Sequence, residues 1–145
     1  MEECKKIVFS FNSSDEKSFS VIQQIISNLN NTNLELSLFD PKKHNLPISE
    51  SKKYQFIPKN QITDVDLIIS VGGDGTMLKS TKLAYEFEIP ITGINRGRLG
   101  FLTDINPNHA LSAIEDILSG KFNIETRMLI EVFIKEDNSL NSIGY

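Results

Sequence analysis

One aspartate surrounded by three glycines is the strongest candidate for chemistry in this sequence. The run Gly72-Gly73-Asp74-Gly75-Thr76 follows an apolar stretch, 67–71, which is typical of a strand buried on both faces of a parallel sheet. After Thr76, apolar residues recur at helical spacing. The loop is therefore predicted at the carboxyl end of a strand and at a helix N-terminus, where unpaired backbone N–H groups and the helix dipole favour an anion.

The glycines and the aspartate point to two parts of one reaction. Glycine lets the backbone approach a phosphate because no Cβ intervenes, so Gly72, Gly73 and Gly75 are the predicted phosphate-facing backbone. Asp74 would repel a phosphate, and its presence suggests that it takes a proton from a hydroxyl that attacks phosphorus. An ordinary aspartate is a weak base, so this role requires either a buried carboxylate or a positioning that does most of the work. The structural alternative is a tight Asp-Gly turn between strand and helix.

The loop resembles the GGDGT signature of NAD kinases and of diacylglycerol and sphingosine kinases. A second stretch, from Gly93 to Asp104, resembles the NAD kinase signature G-I-N-x-G-x-L-G-F-L-T-D, and the two motifs have the order and spacing of that family. The resemblance covers almost the whole chain. It implies transfer of the γ-phosphoryl group of ATP, or of polyphosphate, to the 2′-hydroxyl of the adenosine ribose of NAD, giving NADP. Asp74 would be the general base, and Mg²⁺ would arrive on the donor phosphates.

Four further residues are candidates for binding the nucleotides, each with a structural alternative. Thr76 either bonds a phosphate oxygen or caps the helix, and Lys79 either reaches the phosphates or is a solvated helix lysine. Asn95 resembles the family asparagine whose amide lines the nucleotide site, and the alternative is an Asx turn. Phe101 either presents an aromatic face to the adenine or belongs to the core.

The remaining pattern predicts an α/β fold with an open, mainly parallel, Rossmann-like sheet and helices on both faces. Strands are expected at 7–11, 34–39, 67–71 and 89–95, with helices between them. Ser13 and Glu16 match a capping box before the first helix. Asn106-Pro107 is a typical start for the last helix and Gly120 a typical end. Residues 40–61 are expected to be a surface connection with little regular structure.

The C-terminal residues change character and predict a second unit. A strand is expected at 126–135, a turn at 137–139 and a return strand from 142. We therefore expect an α/β nucleotide-binding kinase domain at 1–122 and the start of an all-β NAD-binding domain, truncated, at 123–145, as the family resemblance also implies. The Asn-Glu motif of the family would lie beyond Tyr145, so the isolated chain is expected to bind nucleotide weakly.

Composition narrows the class of protein and its partners. The chain has 145 residues and a net charge of −4, which gives no general basic surface for nucleic acid. It has no apolar run of membrane-spanning length and no signal-peptide pattern, and its single cysteine is compatible with a reducing cytosol. We expect a cytoplasmic protein whose partners are small-molecule nucleotides and further copies of itself. Neither a P-loop nor a G-x-G-x-x-G fingerprint is present.

Two other functions remain compatible with the sequence. A lipid kinase of the diacylglycerol kinase type would share the first motif but not the second. A non-catalytic nucleotide-binding or dimerisation module would need only part of a site.

Overall fold

A parallel sheet lies at the centre of the computed structural model, which describes residues 4–29, 33–40, 53–96, 100–136 and 139–144. Within these residues its strands are β1 (Lys6–Phe11), β2 (Glu35–Phe39), β3 (Gln55–Phe56), β4 (Leu67–Gly72) and β5 (Ile91–Asn95). Their spatial order is β3-β2-β1-β4-β5, with every neighbouring pair parallel. The chain therefore changes its direction of winding between β1 and β4. Open α/β sheets bind ligands at the carboxyl ends of their strands beside such a switch point.

Helices cover both faces of this sheet, as the sequence predicted. In the described ranges they are α1 (Glu16–Asn28), α2 (Asp74–Phe87) and α3 (Ala110–Leu118). Side chains of β1 and β4 alternate between two apolar clusters, one shared with α1 and α3 and the other with α2. This alternation is the period of two expected for a strand that is buried on both sides.

The first helix begins differently from the prediction. The capping box of Ser13 and Glu16 is wrong, because Asp15 is the N-cap of α1 and accepts hydrogen bonds from Ser18 N at 3.4 Å and Ser18 Oγ at 3.0 Å. Ser13 N instead donates to Asp40 Oδ2 at 2.7 Å. A carboxylate directly before the first helical residue has the charge that a helix N-terminus favours.

The last helix confirms its predicted cap at Asn106 and its predicted end, but the α-helix itself begins at Ala110, later than predicted. Asn106 Oδ1 accepts a hydrogen bond from Asn108 N at 3.0 Å, and a 3₁₀ turn, Pro107–His109, leads directly into α3. Gly120 follows the helix with φ of 79°, a left-handed conformation that glycine adopts at little cost.

The connection between β2 and β4 contains more structure than predicted. Besides β3, it includes a 3₁₀ turn, Lys59–Asp64, whose Ile62 is fully buried against the α2 face of the sheet. Because this stretch contains prolines and many polar residues, its sequence pattern does not predict the short edge strand β3. Residues 41–52 lie outside the described part of the chain.

An antiparallel ribbon follows the α/β unit. It consists of β6 (Val132–Glu136) and β7 (Ser139–Gly144), so the predicted strand at 126–135 begins too early and the return strand too late. Of the turn predicted at 137–139, Ser139 instead begins β7, and the other two residues lie outside the described part of the chain. The ribbon exposes large apolar side chains, namely Val132, Phe133, Ile134, Leu140 and Ile143. None of the described helices combines the length and apolar character needed to cross a bilayer.

Cys4 provides a chemical test of this packing. The side chain is buried in the cluster beneath α1, and burial, together with the negative charge of Asp66, raises the pKa of the Cys4 thiol to about 11. Because the thiolate is the reactive form, the folded chain should alkylate with iodoacetamide at pH 7 about 100-fold more slowly than the urea-unfolded chain. Mass spectrometry of timed samples measures both rates. Equal rates would contradict the buried position.

Candidate active site

The glycine-aspartate loop is itself the junction between strand and helix. β4 ends at Gly72, and α2 begins at Asp74, two residues before the start expected from the apolar pattern. Gly73 is the N-cap, and its carbonyl oxygen accepts hydrogen bonds from Thr76 N and Met77 N, each at 3.0 Å. Thr76 thus lies inside the first turn, and its predicted alternative role as the cap is wrong. The helix dipole is directed at the loop as the sequence predicted.

Asp74 connects the two sequence motifs. Its Oδ2 accepts a hydrogen bond from Phe101 N and its Oδ1 accepts one from Leu102 N, each at 3.1 Å. The side chain is only partly buried. A carboxylate oxygen can accept more than one hydrogen bond, so both oxygens retain capacity for a further donor. Asp74 is therefore held in a defined orientation while a hydroxyl from solvent or a ligand can still reach it.

The glycines of the two motifs that the structure describes are of two kinds. A Cβ at Gly100 would lie 2.2 Å from Asp74 Oδ1, and a Cβ at Gly72 would lie 2.7 Å from Thr76 Oγ1. These two glycines are required by contacts within the chain. A Cβ at Gly73 or Gly75 would have no neighbour within 4 Å. Their missing side chains leave open space beside the N-terminus of α2, which is what the approach of a phosphate requires.

Asn95 lies at the base of the second loop. It ends β5, is paired in register with Gly72, and is fully buried. Its Nδ2 lies 3.4 Å from Thr103 O, and its backbone N donates to Ile105 O at 2.9 Å. The side chain therefore helps to close the loop on itself. The loop also packs closely on β5, since a Cβ at Gly93 would lie 2.9 Å from Thr103 Cγ2.

Phe101 and Lys79 are both exposed. The ring of Phe101 is fully accessible to solvent, so its alternative assignment to the core is wrong. Lys79 lies on an exposed position of α2, one turn after Thr76. The exposed ring follows Gly100 and its own backbone N–H is bound to Asp74, so an aromatic face is available close to the candidate base.

An ion pair not anticipated from the sequence crosses the same edge of the sheet. The Arg96 guanidinium contacts Asp15 Oδ2. Arg96 follows β5 and Asp15 follows β1, and β4 lies between these strands, so the pair spans the carboxyl end of the strand that carries the glycine loop. Partial burial acts to raise the pKa of Asp15, but hydrogen bonds from Arg96 and Ser18 outweigh it and hold that pKa below its ordinary value.

Comparison with known proteins assigns this chain to a family. The model of the ATP-NAD kinase N-terminal domain matches residues 6–122, which is most of the chain. The chain belongs to the ATP-NAD kinase family. An NAD kinase of Methanothermobacter thermautotrophicus is 33% identical over 129 residues, covering 88% of this chain and 44% of that protein. An NAD kinase of Psychrobacter arcticus is 33% identical over 123 residues, covering 82% of this chain and 38% of that protein.

A further relative and a solved structure extend the comparison. An NAD kinase of Blochmanniella pennsylvanica is 47% identical over 79 residues, covering 54% of this chain and 27% of that protein. The chain thus spans less than half the length of these NAD kinases. The crystal structure of yeast NADH kinase complexed with NADH has a TM-score of 0.73 at 17% identity, covering 99% of this chain and 46% of that chain. This ATP-NAD kinase domain therefore shares the fold of the yeast enzyme.

The two kinds of glycine predict opposite effects of alanine on the ATP-NAD kinase domain. Gly100→Ala places a methyl group against the Asp74 carboxylate, so the loop must shift, and the free energy of unfolding should fall by about 1–3 kcal/mol. Gly75→Ala adds a methyl group in open space on a helix, so the free energy of unfolding should stay the same or rise by up to about 1 kcal/mol. Urea denaturation compares them. Equal effects would contradict both the open space at Gly75 and the close approach at Gly100.

The charge of Asp15 predicts a specific pH dependence. Asp15→Asn keeps a capping side chain but removes the ion pair with Arg96. Because the folded-state pKa of Asp15 is lowered, its charge stabilises the native state fully above the unfolded pKa, about 3.9, and this contribution disappears as pH falls through the folded value. Since Arg96 is half exposed, the difference between wild type and variant at pH 7 should be below about 1 kcal/mol.

Urea denaturation at pH 7 and pH 2.5 measures this difference. The gap between the two proteins should be larger at pH 7. Asp64→Asn, at an exposed carboxylate near the opposite edge of the sheet, controls for the change in net charge. A gap of the same size at both pH values would show that the Asp15 charge does not act through its native contacts.

Proposed function

We propose that this chain is the nucleotide-binding part of an NAD kinase. The reaction transfers the γ-phosphoryl group of ATP, or a phosphoryl group of polyphosphate, to the 2′-hydroxyl of the adenosine ribose of NAD, and its product is NADP. The observation that carries the proposal is the contact of Asp74 with Phe101 N and Leu102 N. It brings the two motifs of the family together around a single carboxylate at a helix N-terminus. The function of the NAD kinase relatives supports the same assignment.

The donor phosphates are assigned to the start of α2. Gly72, Gly73 and Gly75 present backbone there, and the open space beside Gly73 and Gly75 would let phosphate oxygens approach the N–H groups. Thr76 in the first turn and Lys79 in the second would add a hydroxyl and a positive charge. Mg²⁺ would travel with the donor phosphates as part of the substrate. Most of the rate enhancement would come from alignment and charge neutralisation, as in other phosphoryl transfers.

The acceptor is assigned to the accessible side of Asp74, next to the second motif. The carboxylate would take the proton of the 2′-hydroxyl as the hydroxyl oxygen bonds to the γ-phosphorus and the bond from that phosphorus to the leaving ADP oxygen breaks. The exposed ring of Phe101 would provide a face for the adenine. Asn95, which is buried beside Gly72, would line the nucleotide site from the end of β5.

We also propose how the chain is divided into domains. Residues 1–122 form the kinase domain, and 123–145 begin a β-rich NAD-binding domain. The exposed apolar side chains of the β6–β7 ribbon and the end of the family match at residue 122 support this division. We expect a homo-oligomeric cytoplasmic enzyme of NADP biosynthesis.

Replacing the candidate base tests the mechanism. In the complete enzyme, Asp74→Asn should lower kcat for NADP formation by about 100-fold or more, because the amide cannot accept the proton. The control, Asp64→Asn, removes an exposed carboxylate near the amino-terminal edge of the sheet and should leave kcat unchanged. Circular dichroism should show both variants folded. Full turnover by a folded Asp74→Asn enzyme would refute the assigned role of Asp74.

The choice of substrate tests the function. Wild-type enzyme is assayed for phosphoryl transfer with NAD and with diacylglycerol as acceptors, each with ATP and with polyphosphate as donors. NADP should form, and diacylglycerol should not be phosphorylated. Phosphorylation of the lipid alone, or of neither acceptor, would overturn the proposed function.

A further inference from the structure

Three serines form a buried cluster between the sheet and α2. Ser10 lies on β1, Ser70 on β4 and Ser80 on α2, and all three are fully buried. Ser80 Oγ lies 2.8 Å from Ser10 Oγ, 3.1 Å from Ser70 Oγ and 2.9 Å from the carbonyl oxygen of Thr76. A hydroxyl can donate one hydrogen bond and accept two, so the single hydroxyl of Ser80 can satisfy all three contacts.

The serine cluster lies between the apolar packing of α2 and the glycine loop. Ser10 and Ser70 are register partners on the neighbouring strands β1 and β4. Two residues earlier on the same strands, Val8 is the register partner of Ile68. Val8 and Ile68 belong to the apolar cluster that contacts Leu83 in the second half of α2. The first half of the helix, which begins with Asp74, is therefore attached to β1 and β4 through hydroxyl groups, while Met77 packs beside Gly93 of β5.

Apolar contacts and hydrogen bonds constrain a helix differently. Apolar burial is non-directional, so a helix held by it alone can shift or rotate slightly at small cost. Hydrogen bonds require defined distances and angles, and a fully satisfied buried network favours one arrangement. Ser80 binds both strands and also the carbonyl of Thr76, within the first turn of α2. The cluster thus links the sheet directly to the turn that presents Asp74.

We propose that the Ser10–Ser70–Ser80 cluster positions Asp74 for proton transfer by fixing the first turn of α2 on β1 and β4. The three serines are positioning residues, since they act through the helix and lie buried between it and the sheet. The part of this inference that concerns proton transfer rests on the proposed function. The part that concerns the orientation of Asp74 can be tested without it.

The structural test uses the 145-residue chain and a triple variant, Ser10→Ala, Ser70→Ala and Ser80→Ala. Replacing all partners together leaves no hydroxyl unpaired, so the urea midpoint should stay close to that of wild type. The backbone amides of Phe101 and Leu102 report on Asp74, because both donate to its carboxylate. NMR should show shifted resonances for these two amides and hydrogen exchange that is roughly tenfold faster.

The matched control is Thr81→Val. Thr81 Oγ1 makes the same kind of contact within α2, to Met77 O at 2.8 Å, but Thr81 is outside the serine cluster. This variant should leave the amides of Phe101 and Leu102 unchanged. The single variant Ser70→Ala, which removes one contact of the cluster, should give a smaller change than the triple variant and serves if the triple variant does not fold. Unchanged amides in a folded triple or single variant would overturn the proposal.

The kinetic test uses the complete enzyme. The triple variant should lower kcat for NADP formation roughly tenfold or more, as expected when a reacting group is misplaced, with the KM for NAD within about twofold of wild type. Loss of thermal stability without a change in kcat would show that the cluster only holds the fold together, and would overturn the proposal. If wild-type enzyme forms no NADP, the proposed function fails while the NMR result still decides whether the cluster orients Asp74.

Discussion

The carboxylate of Asp74, bound to two consecutive backbone amides, is the contact on which the site depends. One motif supplies the acceptor and the other supplies the donors, and 27 residues separate Asp74 from Phe101. Neither stretch forms this arrangement alone. The absence of a side chain at Gly100 makes it possible, because any Cβ there would occupy the space of the carboxylate. These contacts join the second motif to the start of α2.

The sheet places these partners next to each other. β4 and β5 are parallel neighbours, and the register pairs Gly72 with Asn95, so the loops that follow them leave the sheet side by side. α2 then packs on one face of the sheet. The loop that follows β5 returns and forms hydrogen bonds with β5 through Ile105. The order of the strands also puts β1 on the other side of β4, which brings the start of α1 to the same edge. The strand order and register alone therefore bring the segments of the candidate site to the same end of the sheet.

Local sequence patterns predict most of the helices and strands correctly, but they do not predict which residues of these elements contact one another. The apolar run before Gly72, the helical spacing after Thr76 and the Asn106-Pro107 start each depend on neighbouring residues only, and the structure confirms a strand, a helix and a cap there. The capping box at Ser13 failed because a second acidic residue, Asp15, competes for the same helix end. The short strand β3 was missed because its stability comes from pairing with β2, which a propensity pattern does not reveal.

The candidate site shows the same division. The two motifs identified the candidate residues. They did not predict contacts such as Arg96 with Asp15 or Ser80 with Ser10, because these join residues that are far apart in the chain. A serine within an apolar strand gives no indication of its partner until the register of β1 and β4 is known. Likewise, the exposure of Phe101 follows from the direction of the loop and not from the hydrophobic character of its ring.

Two of the contacts made by the residues that follow β5 respond differently to dissolved ions. Arg96 is half exposed where it contacts Asp15, and mobile counterions screen such pairs over about 10 Å at 0.1 M ionic strength. The hydrogen bonds from the backbone N–H groups of Phe101 and Leu102 to Asp74 involve only one formal charge, so dissolved ions weaken them less. Raising the ionic strength should therefore weaken the contact between Arg96 and the start of α1 before it weakens the hydrogen bonds of Phe101 and Leu102 to Asp74.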